Sequence, residues 1–269
     1  MRTTLSQVIL FAAILLLTNC RSEFEKVRIS GDSALMLEKA NAYFEQEEYS
    51  RANTLFEMLI PAYRGKSEAE EIAYKFAQGH YLNGSHILSS HYFKNFADTY
   101  SASPRKEQAL YLSALSYYKL SPRYRLDQQD SEKAIDAFQR FINTYPESDK
   151  VAECNQYIDD LRLKMELKAF DSGKMYYNTR SYSSAITSLE NMLKDFPDTE
   201  HSEEARYIIV QASLDWADQS IFSRKEERYK KTVERCEAYL KRHSETDRAE
   251  RILSLKTKCE QELKSIQNG

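Results

Sequence analysis

The sequence predicts an all-α protein: a right-handed α-solenoid of about five helix pairs, closed by a C-terminal capping helix. Three observations predict it. The stretch DSEKAIDAFQRFINTYPESD, residues 130–149, returns as SYSSAITSLENMLKDFPDTE, residues 181–200. In register, Ala134 meets Ala185, Phe138 meets Leu189, Ile142 meets Leu193, Tyr145 meets Phe196 and Pro146 meets Pro197. Internal repetition of this kind fixes an architecture before any local reading does. Next, small and bulky apolar residues alternate at helical spacing along most of the chain. Finally, six Gly and five Pro in 269 residues are too few for a sheet-rich fold with many tight turns.

The same unit occurs three more times: Ala52/Phe56/Ile60/Tyr63, Ser89/Phe93/Ala97/Tyr100, and a degraded Thr232/Cys236/Leu240/His243. Each is preceded by a partner segment built on a small residue: Ala40, Ala77, Ala114, Gly173 and Ala212. Small residues let two helix backbones approach, and bulky residues one turn on fill the space behind. That is the logic of the tetratricopeptide repeat, so the helix pairs are tetratricopeptide-like. The two small residues stand equally far apart in repeats one, two and four (40 to 52, 77 to 89, 173 to 185). Repeats three and five (114 to 134, 212 to 232) carry an eight-residue insertion.

In chain order, residues 1–19 read as a lipoprotein signal peptide. Arg2 is the basic start and Val8–Leu17 an apolar run about half as long as a spanning helix needs. The run ends in Leu17-Thr18-Asn19-Cys20, which resembles a bacterial lipobox with Asn19 in place of the usual small residue; Cys20 is the expected lipid-attachment site. Residues 20–32, charged and without period, are expected to be a flexible lipidated tether.

Residues 33–148 form the N-terminal repeats one to three. Their helices are expected at 33–44, 49–63, 67–82, 85–100 and 107–120. Gln46-Glu47-Glu48 and Asn83-Gly84 supply breaks. Pro122 stops helix within the insertion SPRYRLDQQD, and Asp130 or Ser131 caps the helix that follows. Residues 149–269 hold one long linking helix over 149–178, repeats four and five, and a cap from about 246 to 266.

Chemistry is sparse. Six scattered glycines make no phosphate loop, and the five histidines form no HxxxH pair, so no cofactor and no metal are expected and the chain reads as a non-enzyme. A net charge of −3 gives no field for nucleic acid. Cys236 and Cys259 could be bridged in an oxidising compartment; buried small hydrophobes are the alternative for them and for Cys154.

Binding is the remaining function. In such repeats the first helices line a groove. The groove-facing offsets give Leu37, Asn41 and Phe44; Tyr74, Gln78 and Tyr81; and Tyr111, Leu115 and Tyr118. Rings alternating with amides suit an extended peptide, the rings giving rigid area and the amides meeting its backbone. The alternative for these rings is packing inside the array.

LDQQDSEKAIDAFQRFINTYPES at 126–148 and LKDFPDT at 193–199, with the lipobox, the repeat order and the insertions, resemble the BamD family, lipoproteins of the outer-membrane β-barrel assembly machinery. The resemblance implies an outer-membrane anchor facing the periplasm. It further implies N-terminal repeats that receive unfolded outer-membrane proteins and C-terminal repeats that dock a POTRA domain of the barrel subunit. The family places a basic docking residue soon after Pro-Asp-Thr; here that place holds Glu203, Glu204 and, a turn later, Arg206. Another tetratricopeptide lipoprotein, coordinating cell-wall or envelope enzymes, is the alternative.

Overall fold

The computed structural model describes residues 22–268. The signal peptide and Cys20 lie outside the described residues. Within them are twelve helices and no strand. They are α1 (Glu23–Arg28), α2 (Ser33–Glu45), α3 (Tyr49–Ala62), α4 (Ala69–Leu82), α5 (His86–Thr99), α6 (Lys106–Leu120), α7 (Gln129–Thr144), α8 (Val151–Asn178), α9 (Tyr182–Asp195), α10 (Ser202–Asp218), α11 (Phe222–Arg242) and α12 (Ala249–Asn268). Helices pack against their neighbours in chain order, giving the all-α, tetratricopeptide-like solenoid.

The chain forms two compact units. One holds the residues up to Ser121 together with Gln129–Ile158; the other holds Pro122–Gln128 and everything from Asp159 onward. The boundary falls inside the long helix α8, which runs 28 residues because nothing between Val151 and Phe170 interrupts its apolar spacing.

In the first unit the small positions do what the spacing requires. Ala40, Ala52, Ala77, Ala114 and Ala134 are fully buried at helix contacts, and Phe56, Phe93 and Phe138 fill the space one turn on. Burial of each ring is worth about 1.5–3 kcal/mol. α3 and α4 approach so closely at Gly79 that a Cβ there would lie 2.2 Å from Asn53 Oδ1. Gly84 (φ 75°) turns the chain between α4 and α5, as the Asn-Gly pair predicts.

In the second unit Gly173 of α8 meets α9: an added Cβ would stand 2.4 Å from Leu189. Phe170, Ala185, Ile186, Leu189, Ala205 and Ala212 build one core cluster. Farther on, Cys236 packs with Val210, Tyr239 and Ile252. Cys259 packs with Leu214, Ala217 and Tyr229 in a separate cluster. All three described cysteines are buried free thiols. Burial pushes the Cys236 thiol up to about 12 and the Cys154 and Cys259 thiols up to about 11.

Three expectations are corrected. The stretch expected to be an irregular tether carries α1, with Ser22 Oγ accepting from the Glu25 amide. Val27 is buried in the first core and Glu23 pairs with Lys39 at 2.7 Å, so a short amphipathic turn outweighs the local charge density. Asp130 and Ser131 do not cap α7; the helix starts at Gln129 and Ser131 is buried inside its first turn, bonded to Ser121. Finally, the helix expected from residue 67 starts at Ala69, because residues 63–68 form turns closed by Lys66 N–H to Tyr63 O and Ala69 N–H to Lys66 O.

Candidate functional site

The residues expected to line a groove lie on α2, α4 and α6, the first helix of each pair in the first unit. Residue 37 recurs as 74 and 111, 41 as 78 and 115, and 44 as 81 and 118, so each helix presents the same turn positions. Leu37, Asn41, Phe44, Tyr74, Gln78, Tyr81, Leu115 and Tyr118 are half-buried. Their rings are also packing elements. Phe44 meets Phe56 edge-on, Tyr74 meets Phe93 and Phe96, Tyr81 meets His86, and Tyr118 lies 4.4 Å from Tyr157. Tyr111 is different: only 6% exposed, it sits edge-on to Phe141 and donates its hydroxyl to Glu153 at 2.9 Å. Burial, then that hydrogen bond, pushes its pKa far above the ordinary tyrosine value. Tyr111 is a core residue of its repeat, and the open part of the surface belongs to the other eight.

Cations stand among these rings. Lys75 Nζ donates to Asn41 Oδ1 at 2.9 Å and lies 5.7 Å from the Phe44 ring centre. The Arg105 guanidinium lies 5.1 Å from the ring centre of Tyr74. Each such contact attracts a cation to a ring by about 0.5–1 kcal/mol at exposed sites.

In the second unit the predicted docking residues fall on the first turns of α10 and separate sharply. Glu203 accepts hydrogen bonds from the Tyr239 hydroxyl and from Arg248. Its charge is answered within the fold. Glu204 pairs with Lys174 at 2.8 Å. Among the described residues Arg206 makes one long contact, Nε to Ser202 Oγ at 3.4 Å. Burial and the neighbouring Arg242 hold its guanidinium below its ordinary pKa. It lines a cavity of about 320 Å³ with Lys194, Arg235, Leu193, Ile209 and Tyr239; Arg235 is already paired with Glu190. His243, near Arg206 and Arg242, keeps Nε2 buried and without a hydrogen-bond partner, and burial pushes its pKa down. Arg206 and Lys194 thus stand at the cavity in no ion pair among the described residues, while its carboxylate, Glu190, is taken by Arg235.

One recurring structural device escaped the sequence reading. Ser103 Oγ donates to Glu70 at 2.6 Å, Ser148 Oγ to Glu107 at 2.6 Å, and Thr199 Oγ1 to Glu166. In each case the same hydroxyl accepts the backbone N–H two residues on. In the last pair Ala205 stands at that register, and Glu203, two residues earlier, is reached through Tyr239, whose hydroxyl also meets Thr246. The signal was present as a hydroxyl three residues after four of the five terminal aromatics, Tyr100/Ser103, Tyr145/Ser148, Phe196/Thr199 and His243/Thr246; repeat one has Tyr63/Lys66 instead.

The model of a family described as "YfiO: Outer membrane lipoprotein" matches residues 31–217. The chain belongs to the YfiO family of outer membrane lipoproteins. The match runs from just before α2 to the end of α10 and so covers both sets of candidate residues. The outer membrane protein assembly factor BamD of Rickettsia prowazekii (strain Madrid E) is 22% identical over 200 residues, 74% of this chain and 80% of that protein. BamD of Caulobacter vibrioides is 23% identical over 135 residues, 50% of this chain and 44% of that protein. Both relatives agree with the resemblance read from the sequence. The yeast histone chaperone Hif1 aligns over 91% of this chain and 98% of its own at 15% identity, with a TM-score of 0.29, too low to inform fold or function. Among the described residues of this YfiO-family chain, no helix is long and apolar enough to cross a membrane.

Proposed function

We propose that this chain is a non-catalytic scaffold for the assembly of outer-membrane β-barrel proteins, held to the outer membrane by a lipid on Cys20 and facing the periplasm. Repeats in the first unit receive an extended segment of an unfolded barrel protein along Leu37, Asn41, Phe44, Tyr74, Gln78, Tyr81, Leu115 and Tyr118. The second unit docks a POTRA domain of the barrel subunit. The observation that carries the docking half is Arg206: a half-buried cation at a cavity, in no ion pair among the described residues, where the one lining carboxylate, Glu190, is already paired with Arg235. Glu203 and Glu204 support the position of α10 rather than the contact itself, because Arg248 and Lys174 already hold them. A partner carboxylate entering the cavity would gain a charge-assisted, two-pronged hydrogen bond, the contact arginine makes best.

Capture from solubilised envelopes tests this reading. The lipidated chain is expected to retain a POTRA-containing barrel protein, and Arg206→Glu to lower that recovery by about tenfold or more while leaving helicity unchanged. Cys20→Ser is expected to release the protein from membranes but to keep the partner in detergent. Recovery of peptidoglycan enzymes without any barrel subunit would replace the reading with a cell-wall role.

A further inference from the structure

Repeat five differs from repeat three in what its insertion becomes. Its insertion lies between α10 and α11 and starts a helix of 21 residues, against 14 for α9. At the tip, Ile221 is 72% exposed and Phe222 70% exposed, the most exposed neighbouring pair of large apolar side chains among the described residues. Phe222, Tyr229 and Cys236 follow one another two helical turns apart; Tyr229 and Cys236 are buried. Phe222 therefore continues the core stripe beyond α10, which ends at Asp218.

The tip also runs against what a helix start favours. Its N-cap is Ile221 with no side-chain cap bond, and its first turn has no acidic residue. Arg224 and Lys225 come instead, at the positive end of the helix dipole. Glu226 and Glu227 are engaged by Lys230 and Lys231 at 2.7 and 2.8 Å, and Arg224 lies 3.3 Å from Glu227. Lys225 is in no ion pair among the described residues. Across 224–231 five cations face two carboxylates. The pair is held outward: Arg228 stacks 3.9 Å from the Trp216 ring centre and bonds Ser220, and Tyr229 donates to Asp218 at 2.6 Å.

We propose that this tip is an interfacial anchor for an anionic phospholipid bilayer, with Ile221 and Phe222 entering the headgroup layer and Arg224 and Lys225 meeting its phosphates. The inference rests on the membrane location of the family and is independent of POTRA docking. A bulky apolar pair with a basic collar is the composition that lies in a bilayer interface. The excess of cations over carboxylates across 224–231 complements anionic headgroups, which favours the lipid surface over a protein partner.

The full lipidated chain carrying Ser223→Cys, labelled with an environment-sensitive dye, tests it in vesicles of phosphatidylethanolamine and phosphatidylglycerol. The other described thiols are buried and stay unlabelled. Ser244→Cys is the control, at the far end of α11, roughly 30 Å along the helix. The label at 223 is expected to shift to the blue and to be quenched by nitroxide-bearing lipid, and the label at 244 to do neither. Ile221→Ser with Phe222→Ser should cut the quenching about tenfold. Replacing phosphatidylglycerol by phosphatidylcholine should cut it about fivefold. Equal behaviour at 223 and 244, or quenching that survives the double substitution, overturns the anchor, as does a shift seen only when a protein partner is added. Vesicle flotation reads the lipid on Cys20 separately: protein that floats with an unquenched label sinks the tip alone, and protein that does neither sinks both.

Discussion

Repeat three and repeat five carry insertions at the same point, between their first and second helices, yet the two take different forms. Residues 121–128 are an ordered loop, whereas the residues after Ser220 lengthen α11. The difference lies in composition. Pro122 bars helix in the first, and the loop then builds its own core: Gln128, 5% exposed, donates to the carbonyls of Arg123 and Leu126 at 3.0 and 3.1 Å. The second has no proline between Ser202 and Arg242 and is rich in Arg, Lys and Glu, good helix formers, so it propagates. An added segment takes the shape its own residues prefer, provided the flanking helices still meet their small-residue contacts.

The sharpest way to break the contrast is to put proline into both. Glu227→Pro should cost about 3 kcal/mol, read by urea unfolding, because it removes a hydrogen bond inside α11. Arg125→Pro, at a side chain 77% exposed, should stay within about 1 kcal/mol. Equal costs would mean that the tertiary fold, not local composition, decides the two shapes.

Next in size is Gln128→Ala, expected to lower stability by about 1–2 kcal/mol by orphaning two turn carbonyls.

The longer helix also brings a titration that the loop lacks, since it ends on His243. Burial, with Arg206 and Arg242, holds the His243 pKa below the ordinary 6.5, against the opposite pull of Glu203 and of the helix C-terminus. The unfolded chain therefore binds the proton more readily. Stability is complete above about pH 7 and falls as pH drops through the unfolded pKa. His80 and His86 are lowered in the same direction by burial. His243→Asn should flatten part of the slope between pH 7 and 5 in denaturation midpoints; an unchanged slope would assign it to the other two.

The smallest effect concerns Glu204→Gln. Its ion pair with Lys174 is more than a third exposed on both sides, so the change should stay under about 0.5 kcal/mol.

How much of this was legible depends on range. The Ala134/Ala185 echo, the long helix and the Asn83-Gly84 turn are local patterns, and the structure follows them to within two or three residues. α1 was missed because six residues carry too little period to register, and it is held by contacts distant in sequence: Val27 and Phe24 against the first core and Glu23 with Lys39. Tyr111 could not be told from Tyr74 by offset. What separates them is Glu153, distant in sequence, which draws one hydroxyl inward. Likewise Glu203 and Arg206 look alike as docking charges until Tyr239 and Arg248 are seen to occupy one and not the other.

The hydroxyl-to-glutamate joint has a consequence for how such a chain can change over time. Ser103–Glu70, Ser148–Glu107 and Thr199–Glu166 each close inside a single helix pair while shaping the start of the next. A pair copied or deleted as a block carries its own fastening with it and leaves the neighbours' joints whole. Length and curvature are thereby free to drift by whole modules, while a lone change at one of these hydroxyls should loosen one module and spare the rest.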